Sequence, residues 1–267
     1  LGGDMSLIEV VTGDTSGVPM GIGGSASRQT VTAGSSAHLA ALEVRAKALK
    51  VAAHILEASE EDLEIEGGEV RVKGVSNLSV PLGTVAHAVA GTPGFALPGG
   101  IEPGMESTQS AVIDDLTFAN GTQVVEVEVD PETGHVKFNN YVMVHDSGVI
   151  INPMIVDGQV AGGTAHGIGN TLYEWMGYDE YAQPLTINYA EYLMVTAPEM
   201  PNIDLLHMES PTPLNPLGVK GVGECGIAPA SAAIVAAIED ALRPFHVHIA
   251  QVPIRPAEIV ALVSGGR

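Results

Sequence analysis

A glycine-rich loop that ends in a single carboxylate is the feature that most constrains this chain. Residues 217–224 read LGVKGVGE, with three glycines among six consecutive positions. Glycine lets the backbone adopt positive φ and approach a ligand closely. An apolar helical pattern begins just after Pro229, so Glu224 lies shortly before a helix N-terminus. A tight turn with a solvated glutamate would have the same spacing, because a glycine-rich loop alone is a weak signal.

A second loop, residues 21–34, is rich in glycine, serine and threonine and precedes a helical pattern. Short hydroxyl side chains and exposed backbone N–H groups can hold an anion or a polar heterocycle at the start of a helix. The alternative is a surface loop that only caps that helix.

A third stretch begins at Pro153, which is placed to start a helix. Five glycines follow within residues 158–169. A glycine inside a helix costs about 1 kcal/mol relative to alanine, so these glycines need a reason. Close packing on a neighbouring element and close approach of a cofactor would each explain these glycines.

Together these stretches resemble the molybdenum hydroxylases, the family of xanthine dehydrogenase, aldehyde oxidase and carbon monoxide dehydrogenase, over nearly the whole chain. The resemblance implies that Glu224 is the active-site base, with Gly223 beside the cofactor. Gln159 matches the glutamine that hydrogen-bonds the cofactor. His166 stands where the family commonly has glutamine, so a structural role is favoured for it. The residues that match the family's pterin-binding segment are Ala26, Ser27, Arg28, Gln29 and Thr30.

The resemblance also implies a function. The chain would be the molybdopterin-binding subunit of an oxidoreductase that inserts water-derived oxygen at an electron-poor carbon of an aldehyde or N-heteroaromatic substrate. A base of this kind works best when poorly solvated. The cofactor would be molybdopterin with molybdenum, in the cytosine dinucleotide form, and no side chain is expected to ligate the metal. The alternatives are a non-catalytic scaffolding or cofactor-insertion subunit and a carbon monoxide dehydrogenase subunit.

Several family features are expected on other chains. The family's glycine-glutamine cofactor loop should precede Met5 but is absent, as are its earlier cofactor and substrate loops. A split subunit or processed fragment, completed by a polypeptide with the N-terminal part, is therefore expected. Electrons would leave through a 2Fe-2S subunit and an FAD subunit, since the single Cys225 cannot hold an iron–sulfur cluster.

The charge balance excludes some partners. The chain has 32 acidic and 11 basic residues, a net charge of -21. Such a surface repels nucleic acid and anionic lipid, and no apolar run is long enough to span a membrane. One cysteine permits no internal disulfide and suits a reducing compartment. We expect a cytoplasmic protein.

Other site motifs are weaker. His246 and His248 share one face of a predicted strand, but no His-Glu-x-x-His pattern or cysteine pair supports zinc. P-loop and nucleophile-elbow patterns do not occur. Cys225 lies next to Glu224, which disfavours its thiolate, so a small packed residue is expected there.

The resemblance implies an α+β fold, with mixed sheets and packed helices as in the C-terminal half of the family's molybdopterin-binding subunit. The Gly/Pro-rich segment 91–104 indicates a subdomain boundary or an interface loop. The first part of the molybdopterin-binding subdomain is expected over residues 1–100, and its second part, with the loop that carries Glu224, over residues 101–267. Helix 35–57 is expected to bury a face that includes Leu39, Leu42 and Leu56. The other predicted helices are 82–90, one from Pro153, 230–242 and 256–263. The predicted strands are 5–11, a hairpin over 63–72, 122–130, 136–144, 203–207 and 246–252, with a strand or turn over 185–195.

Overall fold

A computed structural model describes residues 1–18, 21, 23–75, 77–91 and 99–265. The chain divides into two compact units. The first comprises Leu1–Gly23 and Thr32–Val112, and the second comprises Gly24–Val31 and Ile113–Arg267. Helices and both parallel and antiparallel strand pairs occur, which confirms the α+β fold. The division at residue 100 stays a prediction, and part of the Gly/Pro-rich segment, 92–98, lies outside the described residues.

The first unit packs two helices on a small antiparallel sheet. Its strands pair in the order β1-β2-β3, and the β1–β2 hairpin is the one predicted. The buried core comes mainly from alanine and valine. Its elements are α1 (Ser35–Leu56), β1 (Leu63–Glu66), β2 (Glu69–Val72), β3 (Ser79–Pro81) and α2 (Leu82–Ala88).

Helix α1 forms as predicted, but the predicted buried face is wrong in part. Leu42 is 48% exposed, whereas Ala48, Val51 and Ala52 are fully buried. These small residues also recur at three- and four-residue steps, so they define a second helical stripe. Two apolar stripes overlap on this helix, and the prediction chose the stripe with the large leucines, which is in part the more exposed one.

The second unit contains a mixed three-stranded sheet and three helices. Strands β4 and β5 are antiparallel, and β6 pairs with β5 in parallel. The alternating valines of β4 face the apolar core, while the glutamates between them are exposed. Its elements are β4 (Asn120–Val129), β5 (Val136–Asp146), α3 (Pro153–Leu172), β6 (Asp204–Met208), α4 (Ala230–Ala241) and α5 (Pro256–Gly265). Across the described residues, no helix combines the length and apolar character needed to cross a bilayer.

Helices α3 and α4 pack closely in this unit. Helix α3 begins at Pro153 as predicted, and the Asn152 side chain caps it by accepting a hydrogen bond from the Ile155 N–H. A Cβ on Gly167 would collide with the Cβ of Ala230 at the start of α4. Close packing therefore accounts for this glycine.

Two predicted strands are wrong. Within residues 5–11, all of them described, Met5–Leu7 is a single 3-10 turn and the apolar side chains are exposed. Strand propensity is realised only where a partner strand supplies packing and hydrogen bonds. Residues 246–252 likewise form no ladder, because His246 adopts a left-handed conformation (φ 55°) that ends a 3-10 turn. Residues 185–195 form turns, one of the two structures expected there.

Candidate functional site

The glycine-rich loop leads directly into helix α4. Residues 223–229 form turns, and Glu224 lies at the second of these positions with an exposed side chain. The sequence suggests a poorly solvated carboxylate, and in this chain Glu224 is instead open to solvent. Desolvation of Glu224 would have to come from a group that covers the loop.

Ser27 is the closest polar neighbour of that carboxylate. Its hydroxyl donates a hydrogen bond of 2.9 Å to Glu224 Oε2. Ala26 and Ser27 both adopt positive φ, 53° and 55°. This left-handed pair is uncommon outside glycine and lies where the second loop meets the glycine-rich loop.

The glycines of the glycine-rich loop permit a close approach to Ser27. A Cβ on Gly221 would lie 2.7 Å from Ser27 Cβ, which real side chains do not tolerate. A Cβ on Gly223 would lie 3.2 Å from Ser27 Oγ and 3.3 Å from Gln159 Oε1. Three segments distant in sequence therefore meet at Gly223.

Gln159 reaches this point from the exposed face of α3. On either side of it, a Cβ on Gly158 or Gly162 would meet no described atom within 4 Å. These two glycines are not explained by packing, unlike Gly167. They leave a bare strip of helix backbone beside Gln159, and such a strip admits a flat group that a side chain would exclude.

The remaining predicted residues lie near Ser27 without converging on Glu224 in the described contacts. Arg28 is half-buried, and Gln29 is exposed, with its side chain against Gly24. Thr30 is exposed and begins a five-residue π-helix, Thr30–Gly34. Short π-helical turns often occur at functional sites. His166 is exposed on α3, and its role stays open.

A buried ion pair holds the glycine-rich loop on the N-terminal side of Glu224. Lys220 Nζ lies 2.9 Å from Asp146 Oδ2, and the two side chains are only 10% and 12% exposed. Asp146 also accepts hydrogen bonds from the Gly148 N–H (2.9 Å) and from the backbone N–H and hydroxyl of Ser210. Burial raises the pKa of Asp146, but the bonds from Ser210, Lys220 and Gly148 outweigh it and hold that pKa well below its usual value.

Side-chain amides hold the backbone on both sides of Glu224. Before it, the buried Asn215 accepts from the N–H groups of Leu217 and Val219 and donates 2.8 Å to the Val219 carbonyl. After it, Gln123 donates 2.7 Å to the Gly226 carbonyl. The loop is therefore held from both ends, while Glu224 itself stays accessible.

Cys225 is a packed residue, as its carboxylate neighbour suggests. It is half-buried, and its thiol donates to the Gly221 carbonyl at 3.5 Å. Burial, followed by the charges of Asp146 and Glu224, raises the pKa of the Cys225 thiol. A raised pKa disfavours the nucleophilic thiolate.

A histidine pair lies beside this site and was missed by sequence reasoning. His145 Nε2 and His207 Nδ1 are 2.6 Å apart, and His207 Nε2 lies 2.9 Å from Asp157 Oδ1. Burial and then the neighbouring His207 lower the pKa of His145. The signal was available, since His145 and Asp146 directly follow a predicted strand. The ion pair between Asp146 and Lys220 was also missed, because the two residues are distant in sequence and only the fold brings them together.

The hydrogen-bonding groups around Glu224 indicate whether a molybdopterin fits this site. Ser27 offers a hydroxyl and Gln159 an amide, both suited to the hydrogen-bonding edge of a pterin. The left-handed turn at Ala26 and Ser27 lies in a loop of short side chains, and backbone N–H groups in such turns suit an anion. The bare backbone at Gly158 and Gly162 leaves a cradle that a Cβ would fill. These residues fit the group, and Arg28 adds a cation.

Comparison with known proteins agrees with this assignment. The family model described as the molybdopterin cofactor-binding domain matches residues 1–201. Glu224 lies beyond the matched residues. The nicotine 6-hydroxylase large subunit of Paenarthrobacter nicotinovorans is 38% identical over 265 residues, which cover 99% of this chain and 32% of that protein.

Two solved structures share the fold. The Cu,Mo-CO dehydrogenase structure superposes with a TM-score of 0.81 at 30% identity, covering 93% of this chain and 31% of its own. Quinoline 2-oxidoreductase from Pseudomonas putida 86 gives a TM-score of 0.75 at 39% identity, covering 84% of this chain and 28% of its own. The chain spans about a third of the length of these relatives. It belongs to the molybdopterin cofactor-binding domain family, among the molybdenum hydroxylases.

Proposed function

We propose that this chain forms the molybdopterin-binding part of a molybdenum hydroxylase and that Glu224 is its general base. The observation behind this proposal is the hydrogen bond from Ser27 to the Glu224 carboxylate, beside Gly223, where Ser27 and Gln159 meet. A scaffolding subunit has no use for a carboxylate held in this way, so the geometry favours the catalytic alternative.

Ser27, Gln159 and the backbone of Gly223 would hold the pterin side of the cofactor, together with Ala26, Arg28, Gln29 and Thr30. The bound molybdenum centre would supply the oxygen transferred to the substrate and accept the two electrons released. We propose the cytosine dinucleotide form, because the Gly- and Ser-rich loop with Arg28 suits an extended anionic group.

The chain's own contribution is positioning and proton transfer. Glu224 accepts a proton at one carboxylate oxygen, while the Ser27 hydroxyl holds the other oxygen and fixes the orientation of the group. The glycines at 221 and 223 let this pair approach without a side chain between them. Cofactor and substrate covering the exposed carboxylate would remove water and make Glu224 a stronger base.

The substrate class we propose is an electron-poor N-heteroaromatic ring, with aldehydes as the second class. Two relatives act, by name, on nicotine and quinoline, which both contain such a ring, and they are 38% and 39% identical to this chain. The carbon monoxide dehydrogenases are 30% to 34% identical. The identities therefore favour a heteroaromatic substrate over carbon monoxide.

Companion chains complete this proposal. Electrons would pass to a 2Fe-2S chain and an FAD chain, since no cluster can form on Cys225 alone. A polypeptide with the first part of the large subunit would supply the remaining cofactor and substrate loops. The nicotine relative is itself named as a large subunit, which supports an assembly of several chains. We place this assembly in the cytoplasm.

The test is a Glu224→Gln variant of the complex purified from cells that make the cofactor. Turnover of quinoline, nicotine and an aromatic aldehyde is followed with a dye acceptor, and molybdenum is measured in the same samples. We expect a loss of at least about 10² to 10⁴-fold at unchanged molybdenum content. Glu180→Gln, at an exposed glutamate outside the site, is the matched control. Near-normal turnover of fully loaded Glu224→Gln would overturn the assignment.

A further inference from the structure

We propose that the Asp146–Lys220 ion pair is a positioning element that orders the loop carrying Glu224. Neither residue would touch substrate or cofactor; both would act through the loop. The functional consequence rests on the proposed role of Glu224, whereas the ordering of the loop stands independently of it.

The pair is nearly saturated by contacts within the chain. Lys220 Nζ donates to Asp146 Oδ2 and to Ser210 Oγ, each at 2.9 Å. The Asp146 carboxylate also accepts from Gly148 and Ser210. Because the Lys220 charge already faces a buried carboxylate, its role as a free cation for an anionic ligand is disfavoured.

The backbone strengthens the same connection. The Lys220 N–H donates 2.7 Å to the Ser147 carbonyl, and the Val149 N–H donates 3.1 Å to the Gly218 carbonyl. The end of strand β5 and the start of the catalytic loop are therefore joined by both side chains and main chain. This junction lies four residues before Glu224.

The next residue transmits the position of Lys220 to the site. Gly221 follows Lys220 directly and packs so closely on Ser27 that no Cβ would fit. Ser27 in turn holds Glu224. A shift at Lys220 would thus separate Gly221 from Ser27 and release the Glu224 carboxylate. Removing one partner of a buried pair leaves an uncompensated charge, which favours such a shift.

Cys225 provides a reporter inside the loop. It is the only cysteine of the chain, is half-buried, and depends on Gly221 for its hydrogen bond. Because the charge of Asp146 also raises the pKa of this thiol, the variants are compared by the limiting alkylation rate at high pH, where the thiol is fully ionised. This limiting rate of alkylation by iodoacetamide measures local opening of the loop. In the intact complex, mass spectrometry of the peptide that contains Cys225 isolates this rate from those of cysteines on companion chains.

We expect Asp146→Asn and Lys220→Met each to raise this rate by about tenfold or more, because either leaves a buried partner unpaired. In the double variant the alkylation rate should rise by less than the product of the two single-variant factors, because the two residues act as one pair. Asp240→Asn, which breaks the exposed pair with Arg243, is the matched control and should leave the rate unchanged. Turnover should fall through kcat, with KM and molybdenum content retained.

Unchanged alkylation in both single variants would overturn the proposal. So would an effect of Lys220→Met that Asp146→Asn does not share, because Lys220 would then act as a ligand-binding cation. If either variant fails to fold, Ser210→Ala removes one bond to each partner and should give a smaller rise; no rise would again overturn the proposal. Faster alkylation combined with full turnover of Glu224→Gln would refute the role of Glu224 while leaving the loop anchor intact.

Discussion

Ser27 donates a hydrogen bond of 2.9 Å to Glu224 across a sequence separation of 197 residues. This contact joins the hydroxyl-rich loop to the glycine-rich loop within one compact unit. It assigns different tasks to the two carboxylate oxygens, since one is held and the other is available. The proposed base therefore has a defined orientation before any ligand binds, which is the usual requirement of a preorganised site.

Ser27→Ala should lower kcat by about tenfold, because a hydrogen bond to a charged group helps to orient the carboxylate. Molybdenum content should fall less than turnover. The check is steady-state kinetics normalised to metal content, with Ser264→Ala on the exposed side of α5 as the control. Equal kcat in Ser27→Ala and wild type would contradict an orienting role.

Gln159→Ala should lower cofactor occupancy more than it changes the chemistry of the loaded fraction. The amide lies beside Gly223 and is not bonded to Glu224, so its removal weakens binding and leaves the base in place. Molybdenum analysis together with turnover per molybdenum separates the two effects. Full metal content in the variant would count against the assignment.

Alanine at two glycines of α3 should have effects of opposite sign on stability. Gly162→Ala meets open space and should raise the free energy of unfolding by up to about 1 kcal/mol through helix propensity. Gly167→Ala collides with Ala230 and should lower it by about 1 to 3 kcal/mol through overpacking. Urea unfolding of the cofactor-free protein measures both.

The same Gly162→Ala variant should lose cofactor despite its stability, since the new methyl group would fill the bare strip beside Gln159. A variant that is both more stable and fully loaded with molybdenum would show that the cofactor does not approach α3 there.

Acid should remove the contribution of the Asp146–Lys220 pair to the free energy of unfolding. The folded-state pKa of Asp146 is lowered, so its stabilising contribution is complete above the unfolded-state pKa of about 3.9 and is lost as pH falls below it. The difference in free energy of unfolding between wild type and Asp146→Asn should therefore stay constant from about pH 5 to about pH 8 and shrink below about pH 4. Urea titrations across this range provide the check. If the difference in free energy of unfolding shrank toward neutral pH instead, the pKa of Asp146 would not be lowered by folding.

Local pattern predicted most elements but not their tertiary partners. Helix α3 was predictable because Asn152 and Pro153 mark its start chemically, and the β4–β5 hairpin because valine and glutamate alternate. The strand predicted at Met5 did not form, because this apolar stretch has no partner strand in the described chain. Period alone does not specify pairing.

Within the site, too, local sequence strings were recognised, whereas a pairing made by the fold was not. Glu224, Gly223 and Ser27 were predicted from resemblance to a family motif, since those residues stand in recognisable local strings. The Asp146–Lys220 pair was not predicted, because its members are 74 positions apart and each is unremarkable in its own segment. Lys220 nevertheless carried one clue, as a lone charge among glycines and valines.

The most direct measurement is the molybdenum content of the natively purified protein, with the co-purifying chains identified by mass. We expect about one molybdenum per copy of this chain, together with a flavin-binding chain and a cysteine-rich chain. Absence of molybdenum and of partner chains, in cells shown to make the cofactor, would contradict the assignment of Glu224 as the base of a molybdenum hydroxylase.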